Sequence, residues 1–467
     1  MSKDRVHGYL PDERPPIYEL IPYALQQIVV MFPATVLVAL ITGFHVSTTI
    51  FASGLATLCF ILVTGRKIPL YYGSSFSYIA AIASIMSSDA LAGAPLNDRI
   101  AVAQFGIVMS GLVSIVAGLI IRSVGRSAID RVLPPTVTGS IAIIIGLSLA
   151  ANAMQNAAAV PEATPAEALA SAGSWSWVIA FVTLISTILY SVYLRGKLSQ
   201  LPILFGLLTG YVVALIIGFA TGIPYVSFNT IQDAGIVSLP IFTLPKPSLA
   251  AVAAIMPIAI ATIPESTAHI FQLDIYVNNL AEKKGSKKRY NLGDKLGLNL
   301  IGDGIGDIVS GMIGGPAGTN YGENISAMVL SKNFSVLVLI AAAIITMIIS
   351  CFTPLINVVY SIPTAVIGGL SIYLFGVIAA QGIAIMMENK VDLFSAKNLA
   401  VIAVILIIGL GGSFGFESGM IPMFGIELPA IATAAVVGIL LNLLLSFRKK
   451  DTEIISETEE DKPEATA

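Results

Sequence analysis

Glu265 and His269 stand four residues apart in an otherwise apolar stretch. On a helix that spacing puts both side chains on one face, within reach of each other. A carboxylate beside an imidazole in a low-dielectric cavity can exchange a proton near neutral pH. Pro264, just before the Glu, lacks an N–H and loosens the helix there. The plainer alternative is a buried ion pair that fixes two helices. A second carboxylate, Glu323, lies in Tyr321-Gly322-Glu323-Asn324. Gly322 lets backbone approach a ligand closely. A carboxylate accepts N–H bonds from a planar heterocycle, and its protonated form donates to a carbonyl. A helix-capping role is the bland reading. Phe76, in Ser74-Ser75-Phe76, could stack on a planar ring or simply pack. Asp303 and Asp307 are four apart among Gly302, Gly304 and Gly306. They suit either a proton role or hydrogen bonding between closely crossing helices. Asp274 is the remaining acid in this region.

Other chemistries find no support. No glycine loop ends in Lys-Ser/Thr, so nothing points to ATP drive. The histidines and the two cysteines, Cys59 and Cys351, have neither metal-ligand spacing nor a disulfide framework. No nucleophile–base pair suggests an embedded enzyme, and no potassium-filter signature suggests a channel. No cofactor or metal is expected. An anion exchanger would place basic residues at the site, and no Lys or Arg lies among these acids.

Such acids need a membrane scaffold to be meaningful. The chain has 467 residues, 56% hydrophobic and 11% charged, with a mean hydropathy of +0.87. Soluble domains carry about 25% charged residues. The composition excludes a soluble enzyme and a nucleic-acid binder, and it indicates an all-α polytopic membrane protein. Fourteen spans are expected near 18–43, 45–64, 70–88, 100–121, 135–154, 175–194, 200–221, 247–272, 296–314, 317–331, 334–353, 362–386, 398–413 and 428–446. The third and tenth are short and rich in Gly, Ser, Thr and Asn. With an inside N-terminus this count puts 23 of the 25 basic residues inside, leaving Arg99 and Lys246 outside. The positive-inside rule supports that orientation. Both termini are then cytoplasmic, and the acidic tail 448–467 is expected to be disordered.

The halves resemble each other. Pro134, Val137 and Gly139 recur at a constant offset as Pro363, Val366 and Gly368. GSSFSY (73–78) in span three corresponds to GTNYGENISAM (318–328) in span ten. Seven spans per half is odd, so two consecutive halves are inverted, the plan of secondary transporters. Paired short, glycine-interrupted spans point to a substrate site near the midplane.

These residues together resemble the nucleobase–ascorbate transporter family (nucleobase:cation symporter-2), and within it the bacterial uracil permeases. The carrying stretches are MFPATVLV (31–38), Gly73-Ser74-Ser75-Phe76, Glu265 with His269, and TNYGENI (319–325). The resemblance runs from about residue 13 to about 447. It implies two inverted seven-span repeats, with short extended segments in spans three and ten. A core domain would comprise 18–131 and 246–354, a gate domain 132–245 and 355–447, and 1–17 a cytoplasmic tail. It further implies proton-coupled uracil symport across the cell membrane by alternating access, commonly as a homodimer in the bilayer. Glu265 and Glu323 would bind the pyrimidine edge, the backbone at Phe76 and Gly322 would add hydrogen bonds, and Ala34 would line the pocket. His269 would support Glu265 in proton coupling, with Tyr321 nearby. The chain departs from the family pattern at Gln26-Gln27, where Gln-His is usual, and at Pro33, where Gly is usual. It departs again at Ser326, Ser331 and Lys332, and Phe375 replaces a tyrosine. Gly302-Asp303-Gly304 is similar to the xanthine branch, which makes xanthine or another purine the alternative substrate.

Overall fold

The computed structural model describes residues 8–124, 131–227, 235–423 and 426–460. The chain is mostly helical. In order it forms α1 (Ile17–Thr42), α2 (Val46–Val63), β1 (Tyr72–Ser74), α3 (Ile79–Met86) and α4 (Leu96–Val124). Next come α5 (Pro135–Ser148), α6 (Ala150–Ala157), α7 (Leu169–Tyr193), α8 (Pro202–Thr221), α9 (Leu249–Ile255) and α10 (Ile258–Lys283). The second half continues with α11 (Leu296–Ile313), β2 (Gly318–Asn320), α12 (Gly322–Ser331), α13 (Val336–Ile349) and α14 (Thr353–Tyr360). It ends with α15 (Thr364–Glu388), α16 (Ala396–Gly415), β3 (Met420–Met423), β4 (Ile426–Pro429) and α17 (Ala430–Glu460).

Among the described residues, ten helical stretches are long and apolar enough to cross a membrane. Three shorter apolar helices lie at Phe76–Met86, Val336–Ile349 and Ala430–Ser446. The molecule is a multi-pass membrane protein. The part of the C-terminal tail up to Glu460 is continuous with α17, and 461–467 lie outside the described residues, as do residues 1–7.

The helices pack in two groups. In one, α1, α2, α4, α11 and α13 surround the two short strands; in the other, α5 to α8 pack with α15, α16 and α17. Helix α10 touches α11 and α4 in the first group and α17 and α5 in the second. Within the first group α4 and α11 approach closely because both present glycine. A Cβ on Gly111 would lie 2.5 Å from the Gly304 carbonyl, and one on Gly118 2.5 Å from that of Gly297. Small residues at such crossings let membrane helices gain packing contacts.

Strands β1 and β2 account for the polar, glycine-rich sequence around 70–88 and 317–331, where the third and tenth spans are expected. They pair antiparallel, with Tyr72 opposite Asn320, Gly73 opposite Thr319 and Ser74 opposite Gly318. The pairing continues past the strands through Tyr321 N to Tyr71 O (3.0 Å) and Ser75 N to Ala317 O (3.0 Å). Extended backbone at membrane depth must find partners inside the protein, since each unpaired group costs several kcal/mol. All three residues of each strand are buried. After each strand a short helix runs outward, α3 behind the turn Phe76–Tyr78 and α12 behind Tyr321.

Two features were not legible in hydropathy. An antiparallel hairpin, β3 with β4, joins α16 to α17. At the other end of the chain, residues 8–14 lie along the loop between α12 and α13. Tyr9 N donates to Lys332 O (2.8 Å) and Phe334 N to Tyr9 O (2.8 Å). Lys284 Nζ pairs with Glu13 (2.6 Å) and Lys288 Nζ with Asp12 (2.5 Å).

Candidate functional site

The site is built where β1 and β2 give way to their short helices, against α10 and α1. Glu265 lies two turns into α10, which continues through Pro264, and is half-buried. The Ser77 hydroxyl, in the turn after β1, is within its reach, and the charges facing it are those of Glu323 and Asp303. His269, one turn further, faces the main chain of Asn320 at the end of β2. Its Nε2 lies against Gly322, so close that a Cβ there would sit 2.9 Å away. The two groups share a helix face as the spacing suggests, yet each reaches a different strand end.

Glu323 stands in the first turn of α12, where the helix dipole favours a carboxylate. It is exposed to a cleft of about 160 Å³. Pro33 and Val30 of α1, Ser326 of α12, and Leu201 and Pro202 at the start of α8 form other parts of its wall. The cleft thus opens between the two helix groups. Asn324 anchors the same turn, its amide donating to Gln27 O (3.0 Å) and Gln27 Oε1 (2.9 Å). Gln27 is the residue that departs from the expected histidine.

Phe76 is half-buried, its ring edge-on to Phe375 of α15 with centroids 5.9 Å apart. The contact joins the two helix groups. Ala34 is buried with Met31 and Tyr321 in the apolar core, while its neighbour Pro33 faces the cleft. Tyr321 is buried and committed: its hydroxyl donates to Ser74 O (2.9 Å) and lies 3.0 Å from Thr35 Oγ1. Its ring covers Gly73, where a Cβ would come within 2.4 Å.

Asp303 is buried behind the site. It accepts from Ser266 Oγ (2.6 Å), beside Glu265, and from Asn320 Nδ2 (2.7 Å). Asp274 lies apart, at the far end of α10, where it accepts from Leu292 N (2.6 Å). His269 Nδ1, Thr319 Oγ1, Asn320 Oδ1 and Asn324 Oδ1 are buried without a hydrogen-bond partner among the described residues. These polar groups stand around the strand ends, among apolar helices. Among the described residues no three His, Cys, Asp or Glu side chains are grouped to hold a metal ion.

Pro33 and Ser326 in the cleft wall were not expected from sequence as binding positions. Their signal was indirect, since both stand where the chain departs from the family pattern.

The chain is similar to known proteins. A family model described as a permease family, Xan_ur_permease, matches residues 18–418. The chain is 34% identical over 463 residues to the uracil permease of Bacillus subtilis (strain 168), covering 98% of this chain and 99% of that one. It is 35% identical over 455 residues to the uracil permease of Bacillus caldolyticus, covering 95% and 96%. It is 34% identical over 446 residues to the putative pyrimidine permease RutG of Escherichia coli (strain K12), covering 94% and 92%. Among solved structures, SLC26A9 superposes with a TM-score of 0.65 at 13% identity, over 93% of this chain and 66% of that one. The transmembrane domain of the cyanobacterial bicarbonate transporter BicA gives 0.55 at 14%, over 93% and 99%. At such identities the two structures speak to the fold alone.

Proposed function

The chain belongs to this permease family, and from that premise we propose that it is a proton-coupled uracil symporter working by alternating access. It is a transporter and not an enzyme. The observation that carries the proposal is the meeting of Glu265, His269 and Glu323 at the ends of the paired strands, in a chain similar along its whole length to uracil permeases. Two carboxylates can accept the ring N–H groups of uracil, and backbone N–H groups at Phe76 and Gly322 can donate to its carbonyls. Phe76 would lie against the ring face. The relatives named for uracil or pyrimidine favour that substrate over xanthine.

In this account Glu265 takes the coupling proton, with His269 one turn away and Asp303 behind it through the hydroxyl of Ser266. Tyr321, pinned by Thr35 and Ser74, shapes the pocket. Pro33 forms part of its apolar wall, with Ala34 packed behind in the core. The ten long helical stretches, the three shorter apolar helices and α12 would make fourteen crossings in two inverted repeats. The helix group around the strands would be the core domain, 18–131 and 246–354, and the other the gate domain, 132–245 and 355–447. With both termini cytoplasmic in the cell membrane, the cleft at Glu323 opens toward the cytoplasm beside Leu201. A homodimer packed through the gate domains completes the picture.

The test is a binding panel on purified protein: uracil, 5-fluorouracil, xanthine, hypoxanthine, uric acid and ascorbate, at acid and neutral pH. A ligand that binds only the folded state raises its melting temperature. Stabilisation by uracil and 5-fluorouracil, stronger at one pH than the other, is expected. Stabilisation by xanthine alone would transfer the substrate to the purine class.

A further inference from the structure

Asp307, one turn beyond Asp303 on α11, plays no part in the account above, yet it is 2% exposed at membrane depth. One of its oxygens, Oδ1, accepts two hydrogen bonds. The Tyr72 hydroxyl of β1 donates one and the Gly318 N–H of β2 the other, at 2.8 Å. A single carboxylate oxygen therefore ties both strands, one from each half of the chain, to the same helix.

The surrounding residues are shaped for that tie. The Tyr72 ring lies between two glycines: a Cβ on Gly306 would come within 2.6 Å of it, and one on Gly318 within 2.4 Å. Its backbone is held as well, its carbonyl accepting from Ser53 Oγ (2.8 Å) and Thr57 Oγ1 (3.1 Å), its N–H donating to Thr57 Oγ1 (3.0 Å). The tie runs diagonally across the strand pair, from Tyr72, opposite Asn320, to Gly318, opposite Ser74, which lies two residues before Phe76. The same strands place Ser77 against Glu265 and lead into Gly322 and Glu323.

Resting on the uracil-site reading, we propose that Asp307 is a positioning residue: it fixes the register of β1 against β2 and so the spacing of the groups that bind the nucleobase, and it carries no transported proton. What it supplies is an acceptor oxygen at one place. Asn supplies the same oxygen without the charge, whereas Ala supplies none.

The experiment compares wild type with Asp307→Asn, Asp307→Ala and Tyr72→Phe in proteoliposomes. Three quantities are read: uracil Kd, uracil exchange at equal pH, and accumulation driven by an imposed pH gradient. Asp307→Asn should stay within about threefold of wild type in all three, because both hydrogen bonds survive. Asp307→Ala should bind uracil roughly tenfold or more weakly. Tyr72→Phe keeps the ring in its slot and loses one bond, so its Kd should weaken severalfold. It decides the matter if the Ala variant does not fold. Wild-type affinity in Asp307→Ala, or in Tyr72→Phe, would overturn the proposal. So would an Asp307→Asn variant that exchanges uracil normally but fails to accumulate it, since that is the behaviour of a proton carrier. Failure of the wild type to bind uracil would instead refute the substrate reading, a separate result.

Discussion

His269 of α10 lies with Nε2 against the Cα of Gly322 at the start of α12, leaving no room for a Cβ. A residue of one half of the site is thus gauged against the backbone of the other. Gly322→Ala would place a methyl 2.9 Å from that nitrogen, so the imidazole or the strand end must shift. Misplacing binding groups by even an ångström is costly where orientation matters. The variant should fold, because Ala is a good residue for a helix start. It should bind uracil at least tenfold more weakly, as measured by equilibrium binding on the purified protein.

Glu265→Ala and Glu323→Ala each remove an acceptor from the pocket. A hydrogen bond to a charged group is worth about 2 kcal/mol, roughly thirtyfold in Kd. Each variant should show a loss of that order. Wild-type uracil affinity in both would place the substrate elsewhere.

Gly73→Ala sets a Cβ 2.4 Å from the Tyr321 ring, and that ring cannot swing away while Ser74 and Thr35 hold its hydroxyl. Overpacking of this kind costs about 1–3 kcal/mol. Thermal unfolding without ligand should show a lowered midpoint. Adding Tyr321→Phe, which frees the ring from its two partners, should recover part of it.

The N-terminal strap carries a pH signature. Partial burial alone would raise the Asp12 carboxyl, but hydrogen bonds from Lys288 and Tyr290 outweigh it and hold the carboxyl below its ordinary value. A depressed acid stabilises the fold above its unfolded value, roughly 3.9, and that contribution is lost as pH falls through the folded value. Asp12 and Lys288 are both half-exposed, so the pair is worth under about 1 kcal/mol. Asp12→Asn should melt slightly below wild type at about pH 7, and the gap should narrow as pH falls below about 3.9 and through the folded value.

The stretches that hold the strands were legible as irregular because GSSFSY and GTNYGENISAM are too polar and too rich in glycine for ordinary membrane helices, whereas their extended conformation was implied by the family resemblance alone. Glu265, His269 and Glu323 stood out because acids and imidazoles are rare in apolar runs. Other relationships had no local signal. Tyr72 and Asp307 are 235 residues apart, and Tyr72 reads as packing until β1 and β2 bring it onto α11. The strap at residues 8–14 looked like a polar tail, although Asp12 and Glu13 offered opposite charge to the lysines at 284 and 288. The β3–β4 hairpin carries neither helical period nor strong alternation, so nothing in its sequence distinguishes it from a loop. Ala34 illustrates a finer limit: a family pattern can bring a position to the pocket wall, but α1's rotation turns Pro33 to the cleft and Ala34 to the core.

The central claim is that uracil movement is driven by protons through Glu265. The most direct measurement is radiolabelled uracil uptake into proteoliposomes with an imposed pH gradient, wild type against Glu265→Gln, with an internal pH dye read in parallel. The account predicts that uracil accumulates only when the outside is acid, that uracil entry acidifies the lumen, and that Glu265→Gln abolishes both. Uracil that merely equilibrates, with no response of the dye, would contradict it.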